Sequence, residues 1–113
     1  MLQMCEEMMK LRQKLTDRGI VWKDASDITY IDASAKKDII DNFSDIRVYR
    51  TLFEHNGYEY SVIYGYGTYG GFNAITGRDC KLLECMTDKV NCGEPIGSLT
   101  ADDVIGIIEG WGV

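Results

Sequence analysis

Two runs of apolar and aromatic residues in this chain flank its strongest turn signal. Residues 46–54 (I-R-V-Y-R-T-L-F-E) and 58–64 (Y-E-Y-S-V-I-Y) are rich in β-branched and aromatic residues, which suit a pleated surface with one buried face. Between them lies His55-Asn56-Gly57. Asn-Gly favours a type I′ turn, whose two central residues need positive φ. With Asn56 and Gly57 as the loop, His55 faces Tyr58, Phe53 faces Tyr60, Thr51 faces Val62 and Tyr49 faces Tyr64. That set forms one apolar, aromatic face. The same register opposes Glu54 and Glu59, a like-charge pair expected at an exposed position near the turn.

Elsewhere the apolar spacing is helical. Leu2, Cys5, Met8, Met9, Leu11 and Leu15 predict a helix over residues 2–18, acidic early (Glu6, Glu7) and basic late (Arg12, Lys14, Arg18). Gly19 is its expected stop, with Ile20 folding back on the last turn. Ile20-Val21-Trp22 reads as an edge strand and Ile28–Ile31 as a further short strand. Ala35–Phe43 reads as a short helix capped by Ser34. Lys81–Lys89 carries apolar residues at Leu82, Leu83, Cys85 and Met86, followed by Val90, and is expected to be helical. Glu94-Pro95-Ile96-Gly97 is expected to be a turn. Thr100 then caps a last helix bearing Val104, Ile107 and Ile108 on one face, with Trp111 docking on the core. The expected fold class is α+β: a small antiparallel sheet centred on a hairpin at about 46–64, packed against an N-terminal helix, a helix near 80–90 and a C-terminal helix. At 113 residues, one domain spanning 1–113 is expected.

After Tyr64 come Gly65, Gly67, Gly70 and Gly71, interleaved with Tyr66, Thr68 and Tyr69. Gly65, Gly67 and Gly70 spell G-x-G-x-x-G. The dinucleotide fingerprint also needs a helix opening at once within a βαβ unit. The preceding strand belongs to a hairpin, so a tight strand-to-loop corner is the simpler reading. Exposed tyrosines on such a loop would also suit partner contact. Phe72–Asp79 reads as loop, with turn residues Asn73 and Gly77.

Composition narrows the function classes. The net charge of −6, from 18 acids and 12 bases, disfavours direct nucleic-acid binding and allows a basic protein partner. Asp24, Asp27, Asp32, Asp38, Asp41 and Asp45 recur three to six residues apart. Caps and solvated turns account for most such residues. A phosphate-mimicking ladder is the sharper reading. No apolar run approaches the roughly 18 residues of a membrane span, and the N-terminus lacks a signal-peptide pattern. A cytoplasmic protein with reduced cysteines is expected.

Cys5, Cys80, Cys85 and Cys92 contain no C-x-x-C spacing, and His55 is the single histidine. Neither a zinc site nor any other metal or cofactor is expected. No nucleophile has a base beside it in sequence, so no catalytic residue is assigned and an enzyme is not expected.

The stretches Tyr60-Ser61-Val62-Ile63, Gly65, Gly67-Thr68-Tyr69-Gly70-Gly71, Leu82-Leu83-Glu84, Met86-Thr87, Asn91, Gly93-Glu94-Pro95, Gly97 and Leu99-Thr100-Ala101-Asp102 resemble small uncharacterised proteins of Firmicutes phages and prophages. That group has the pattern Y-S-V-I-x-G-x-G-T-Y-G-G, then L-L-E-x-M, then G-E-P-x-G-x-L-T-A. The resemblance covers about residues 44–108, and Phe72–Cys80 is longer than the usual link in that group. It implies a phage accessory protein in a bacterial host cell and carries no activity. The expectation is a non-enzymatic protein that binds and inhibits a host protein, in general character like an anti-CRISPR inhibitor of host defence. Tyr66, Tyr69, Asp38 and Asp41 are the expected binding residues. Two rival readings are a nucleotide-sequestering module, with tyrosines stacking the base, and an oligomeric structural accessory protein.

Overall fold

The structure, a computed structural model, describes residues 4–28, 47–65, 68, 70–73, 78–90 and 93–110. Its centre is the predicted hairpin of β3 (Arg47–His55) and β4 (Tyr58–Gly65). The register is the expected one: Tyr49 opposes Tyr64, Thr51 opposes Val62, Phe53 opposes Tyr60, and Glu54 opposes Glu59. Asn56 and Gly57 take φ of 52° and 83°, the left-handed pair that a two-residue turn of this hand requires.

The hairpin is extended on both sides into an antiparallel sheet. On the β3 side lie β1 (Trp22–Asp24) and β2 (Asp27–Ile28), both paired with β3. On the β4 side lie β7 (Leu83–Thr87) and then the edge strand β8 (Ile96–Leu99). The expected edge strand at residues 20–22 is thus displaced toward 24, and the expected strand at 28 begins at Asp27. Its remaining residues lie outside the described set, as do the expected 35–43 helix and Trp111.

Three expectations are corrected. Residues 83–87 form a strand, not part of a helix. Leu83, Cys85 and Thr87 are buried on the helix side, while on the other side Met86 is exposed and Glu84 is buried, so the alternation holds only toward the end of the strand. The open edge of β4 claims them: Tyr60 pairs with Thr87 and Val62 with Cys85. Lys81, at φ 56°, departs from helical backbone just before the strand. The 94–97 turn gives way to β8, which begins at Ile96. The 72–79 loop contains a two-stranded ladder of β5 (Phe72–Asn73) and β6 (Arg78–Asp79).

Two helices cover one face of the sheet. The first, α1, is Glu6–Asp17, shorter at its start than the spacing predicts, with Cys5 as its N-cap. After it, Ile20 N donates to Leu15 O at 2.9 Å, the expected fold-back. The second, α2, is Ala101–Glu109. Its capping box is complete: Asp103 N donates to Thr100 Oγ1, and Thr100 N donates to Asp103 Oδ2. Glu7 Oε1 accepts Ala101 N at 2.8 Å, placing a carboxylate on the positive end of α2. At the other end Lys89 Nζ donates to the Ile107 and Ile108 carbonyls, and Arg18 pairs with Glu109. Lys14, in the last turn of α1, also reaches Asp102 in the first turn of α2 at 3.0 Å, so polar contacts join the two helices at several points.

Between helices and sheet lies the core. Met8, Leu11 and Leu15 from α1 and Val104, Ile107 and Ile108 from α2 meet Phe53, Tyr60, Val62, Tyr64, Leu83 and Cys85. Arg12 ties α1 to the β1 side of the sheet. Its Nε donates to Thr51 Oγ1 at 2.8 Å, its Nη2 donates to Asp24 Oδ1 and Arg50 O, and its guanidinium lies 4.8 Å from the Trp22 ring centre. Asp24 also accepts from Ser26, and these hydrogen bonds, with the Arg12 charge, hold its carboxyl below the usual range.

The Tyr60 hydroxyl is buried without a hydrogen-bond partner among the described residues, while its ring stacks on Phe53 at 4.8 Å. An unpartnered buried hydroxyl costs roughly 1–3 kcal/mol. Tyr60→Phe keeps the ring and removes that cost, so urea unfolding should show unchanged or higher stability, by up to about 1 kcal/mol. A clear loss would mean that the hydroxyl has a partner.

Candidate functional site

The expected binding residues Tyr66, Tyr69, Asp38 and Asp41 lie outside the described residues, as do Asp32 and Asp45 of the aspartate series. Asp24 is described, and it is engaged by Arg12 and Ser26 rather than presented as a free anion.

The glycine loop folds on itself. Thr68 Oγ1 accepts from Gly65 N at 3.1 Å and donates to Gly65 O at 2.9 Å. Gly71 N donates to Thr68 O at 3.1 Å. A Cβ on Gly71 would collide with Thr68 Oγ1 and lie 2.5 Å from Gly65 O. A Cβ on Gly70 would lie 2.8 Å from the Ser98 backbone. Ser98 has φ 58° and sits in a bulge of β8, where Leu99 to Ile96 spans one more residue than Leu83 to Cys85 opposite. The corner therefore docks against the bulged edge strand, and Leu82 N donates to Gly70 O at 3.0 Å. The strand β5, not a helix, follows it. Gly65 N and Gly71 N, which a phosphate cradle would direct at a ligand, are bonded inside the corner. Gly71→Ala should cost roughly 2 kcal/mol or more by chemical denaturation, as overpacking at a closed site does. A loss under about 0.5 kcal/mol would show that the corner opens readily.

The cysteines are placed for packing. Burial pushes the Cys85 thiol up to about 12, with Glu84 adding to the effect, and burial also raises Cys5. Neither is a thiolate nucleophile at neutral pH. Cys80 is exposed. Among the described residues no group of three or more His, Cys, Asp and Glu is arranged to hold a metal ion. His55 opposes Tyr58 at the hairpin end, and its shielded Nδ1 has no hydrogen-bond partner among the described residues. Tyr64 donates to Asp79 Oδ2 at 2.6 Å, and burial with this bond raises its hydroxyl above the usual range. Tyr60 is raised by burial too.

These buried acids share one sign. In the unfolded chain they ionise near their ordinary values of 9.0 and 10.0, whereas in the folded chain they stay protonated. Stability is therefore full below about pH 9 and falls as pH rises toward 12, by at most about 1.4 kcal/mol per pH unit for each group. Urea titrations at rising pH should show this decline, and Cys85→Ala should make it shallower. An unchanged slope in that variant would contradict the burial of Cys85.

The sheet face opposite the helices carries the most distinctive surface. Leu52, Ser61 and Met86 stand in one cross-strand row, because Leu52 opposes Ser61 and Ser61 opposes Met86. Glu54 opposes Glu59 in the next row, and Asp88, in the turn just after β7, lines the same hollow. The two rows line a hollow of about 390 Å³. Met86 is 46% exposed, and Val21, one residue before β1 on the Glu54 side, is 88% exposed. No described residue forms an ion pair with Glu54, Glu59 or Asp88, and Lys89 is directed to the end of α2 instead. In the sequence, the Glu54–Glu59 pair is the visible trace of this site. Met86 and Asp88 join it only once residues 83–87 form a strand.

Comparison with protein-family models, with curated proteins and with solved structures gives no match to this chain. Among the described residues no helix is long and apolar enough to cross a membrane.

Proposed function

We propose that this is a non-enzymatic phage or prophage accessory protein that binds and inhibits a host protein, a basic nucleic-acid-binding component of a defence system being the best-fitting target. The observation that carries the reading is the open sheet face. There, three carboxylates without ion pairs among the described residues adjoin exposed Met86 and half-buried Leu52. Apolar surface beside like charges suits a partner of opposite charge, since complementary fields speed encounter and select against wrong partners. The net charge of −6 acts in the same direction over the whole surface. A second copy is a poorer occupant, because two-fold pairing across this face brings its acid row near another.

Affinity capture from a bacterial host tests the reading, with the wild-type chain and a Glu54→Lys/Glu59→Lys variant as parallel baits. The expected outcome is a basic host protein retained by the wild type, lost with the variant, and released as salt rises and screening shortens. Adding the wild-type chain should reduce that protein's nucleic-acid binding or cleavage by at least about tenfold at saturation, the effect of about 1.4 kcal/mol. Retention of no host protein, or of one whose activity is unchanged, would refute the proposal.

A further inference from the structure

The two rows on the open face have a geometry beyond their charge. Same-face positions along a strand lie roughly 7 Å apart. The apolar row and the carboxylate row are separated by that interval. Ser61 is the short side chain of the central strand, flanked by Leu52 on β3 and Met86 on β7. It leaves a trough whose walls are apolar and whose far end is Glu54, Glu59 and Asp88. On the other side of the apolar row the exposed Arg50 stands beside Ile63 and the buried Glu84, and Lys23 stands beside Leu52 within the apolar row itself. The exposed carboxylates of the trough, Glu54, Glu59 and Asp88, therefore all lie at one end.

The geometry points to one occupant, a lysine or arginine side chain carried on an extended basic segment of a partner protein. This assignment rests on the binding-protein reading above. The three or four methylenes of such a stem cover Ser61 between Leu52 and Met86, as long basic side chains do on apolar surface. Their length carries the cation across the interval between the rows to the carboxylates, where charge-assisted hydrogen bonds form. A cation on a short stem cannot occupy both ends. An anionic ligand meets the acid row and is repelled. The exposed carboxylates lie at one end only, and this sets the direction in which the side chain lies.

The probe is a labelled nonapeptide alternating arginine and valine. Three companions replace every arginine with glutamate, glutamine or 2,3-diaminopropionate, a cation on a one-carbon stem. Fluorescence anisotropy reads affinity, and amide chemical-shift changes locate the contact. The arginine peptide should bind with shifts centred on Leu52, Ser61 and Met86, and the glutamate peptide should not bind. The glutamine and short-stem peptides should each bind at least about tenfold more weakly. In the protein, Ser61→Leu fills the trough and Glu59→Lys reverses its end. Each should weaken the arginine peptide by at least about tenfold, with Glu59→Lys, at an exposed position, guarding against a folding effect.

Equal affinity for the short-stem peptide would reduce the interaction to charge alone and overturn the trough. Absence of binding, or shifts confined to the helices, would overturn it as well. If these peptides fail while a host protein is still captured and inhibited, the trough is wrong and the functional reading survives on another surface. If the peptides behave as expected and no host protein is captured, the functional reading fails and the trough stands.

Discussion

Tyr60, Val62 and Tyr64 share one face of the central strand and must leave water together. Most of the described structure follows from that constraint. All three are buried to within 2%, and a sheet face of that kind needs a covering layer. Both helices supply it, through Met8, Leu11 and Leu15 on one side and Val104, Ile107 and Ile108 on the other. The helices are held to each other by Glu7 on the start of α2 and by Arg18 on Glu109. Arg12 fixes the layer laterally by joining α1 to Thr51, Asp24 and Trp22. The Gly65–Gly71 corner belongs to the same scheme: it turns the chain out of β4 and lays it against the bulge at Ser98.

With both described helices on one face, the other face is free to hold positions that a core would not accept. Glu54 and Glu59 oppose each other there at a cost of a few tenths of a kcal/mol. Met86 is left 46% exposed beside them. Neither feature adds to folding stability. Together they make the face both apolar and acidic, and the proposed contact with a basic partner uses both properties.

The hairpin, its register and the capping box at Thr100 are legible in the sequence because each is decided within a few residues. Asn56-Gly57 dictates the turn, and a two-residue turn fixes the register of the strands on either side. The run from Leu82 to Val90 is different. Its apolar positions fit a helical period through Leu82, Leu83, Cys85 and Met86, and a strand period through Leu83, Cys85 and Thr87. The choice was made by the unpaired edge of β4, a partner that local spacing does not reveal. The same ambiguity hid the open-face site, because Met86 and Asp88 reach Ser61 and Glu59 only across that strand pairing. The bulge at Ser98 had no local signature either. It answers to the close approach of Gly70, which is a tertiary contact.

Methionine methyl NMR in the presence of a soluble paramagnetic chelate tests most directly whether the sheet has one sealed face and one open face. Met8 is fully buried beneath α1, Met86 lies on the open face, and Met9 is 53% exposed as an internal reference. The expected spectrum keeps the Met8 methyl sharp while the Met86 and Met9 methyls broaden together. Broadening of Met8, or a Met86 methyl as protected as Met8, would contradict the two-faced sheet and the surface built on it.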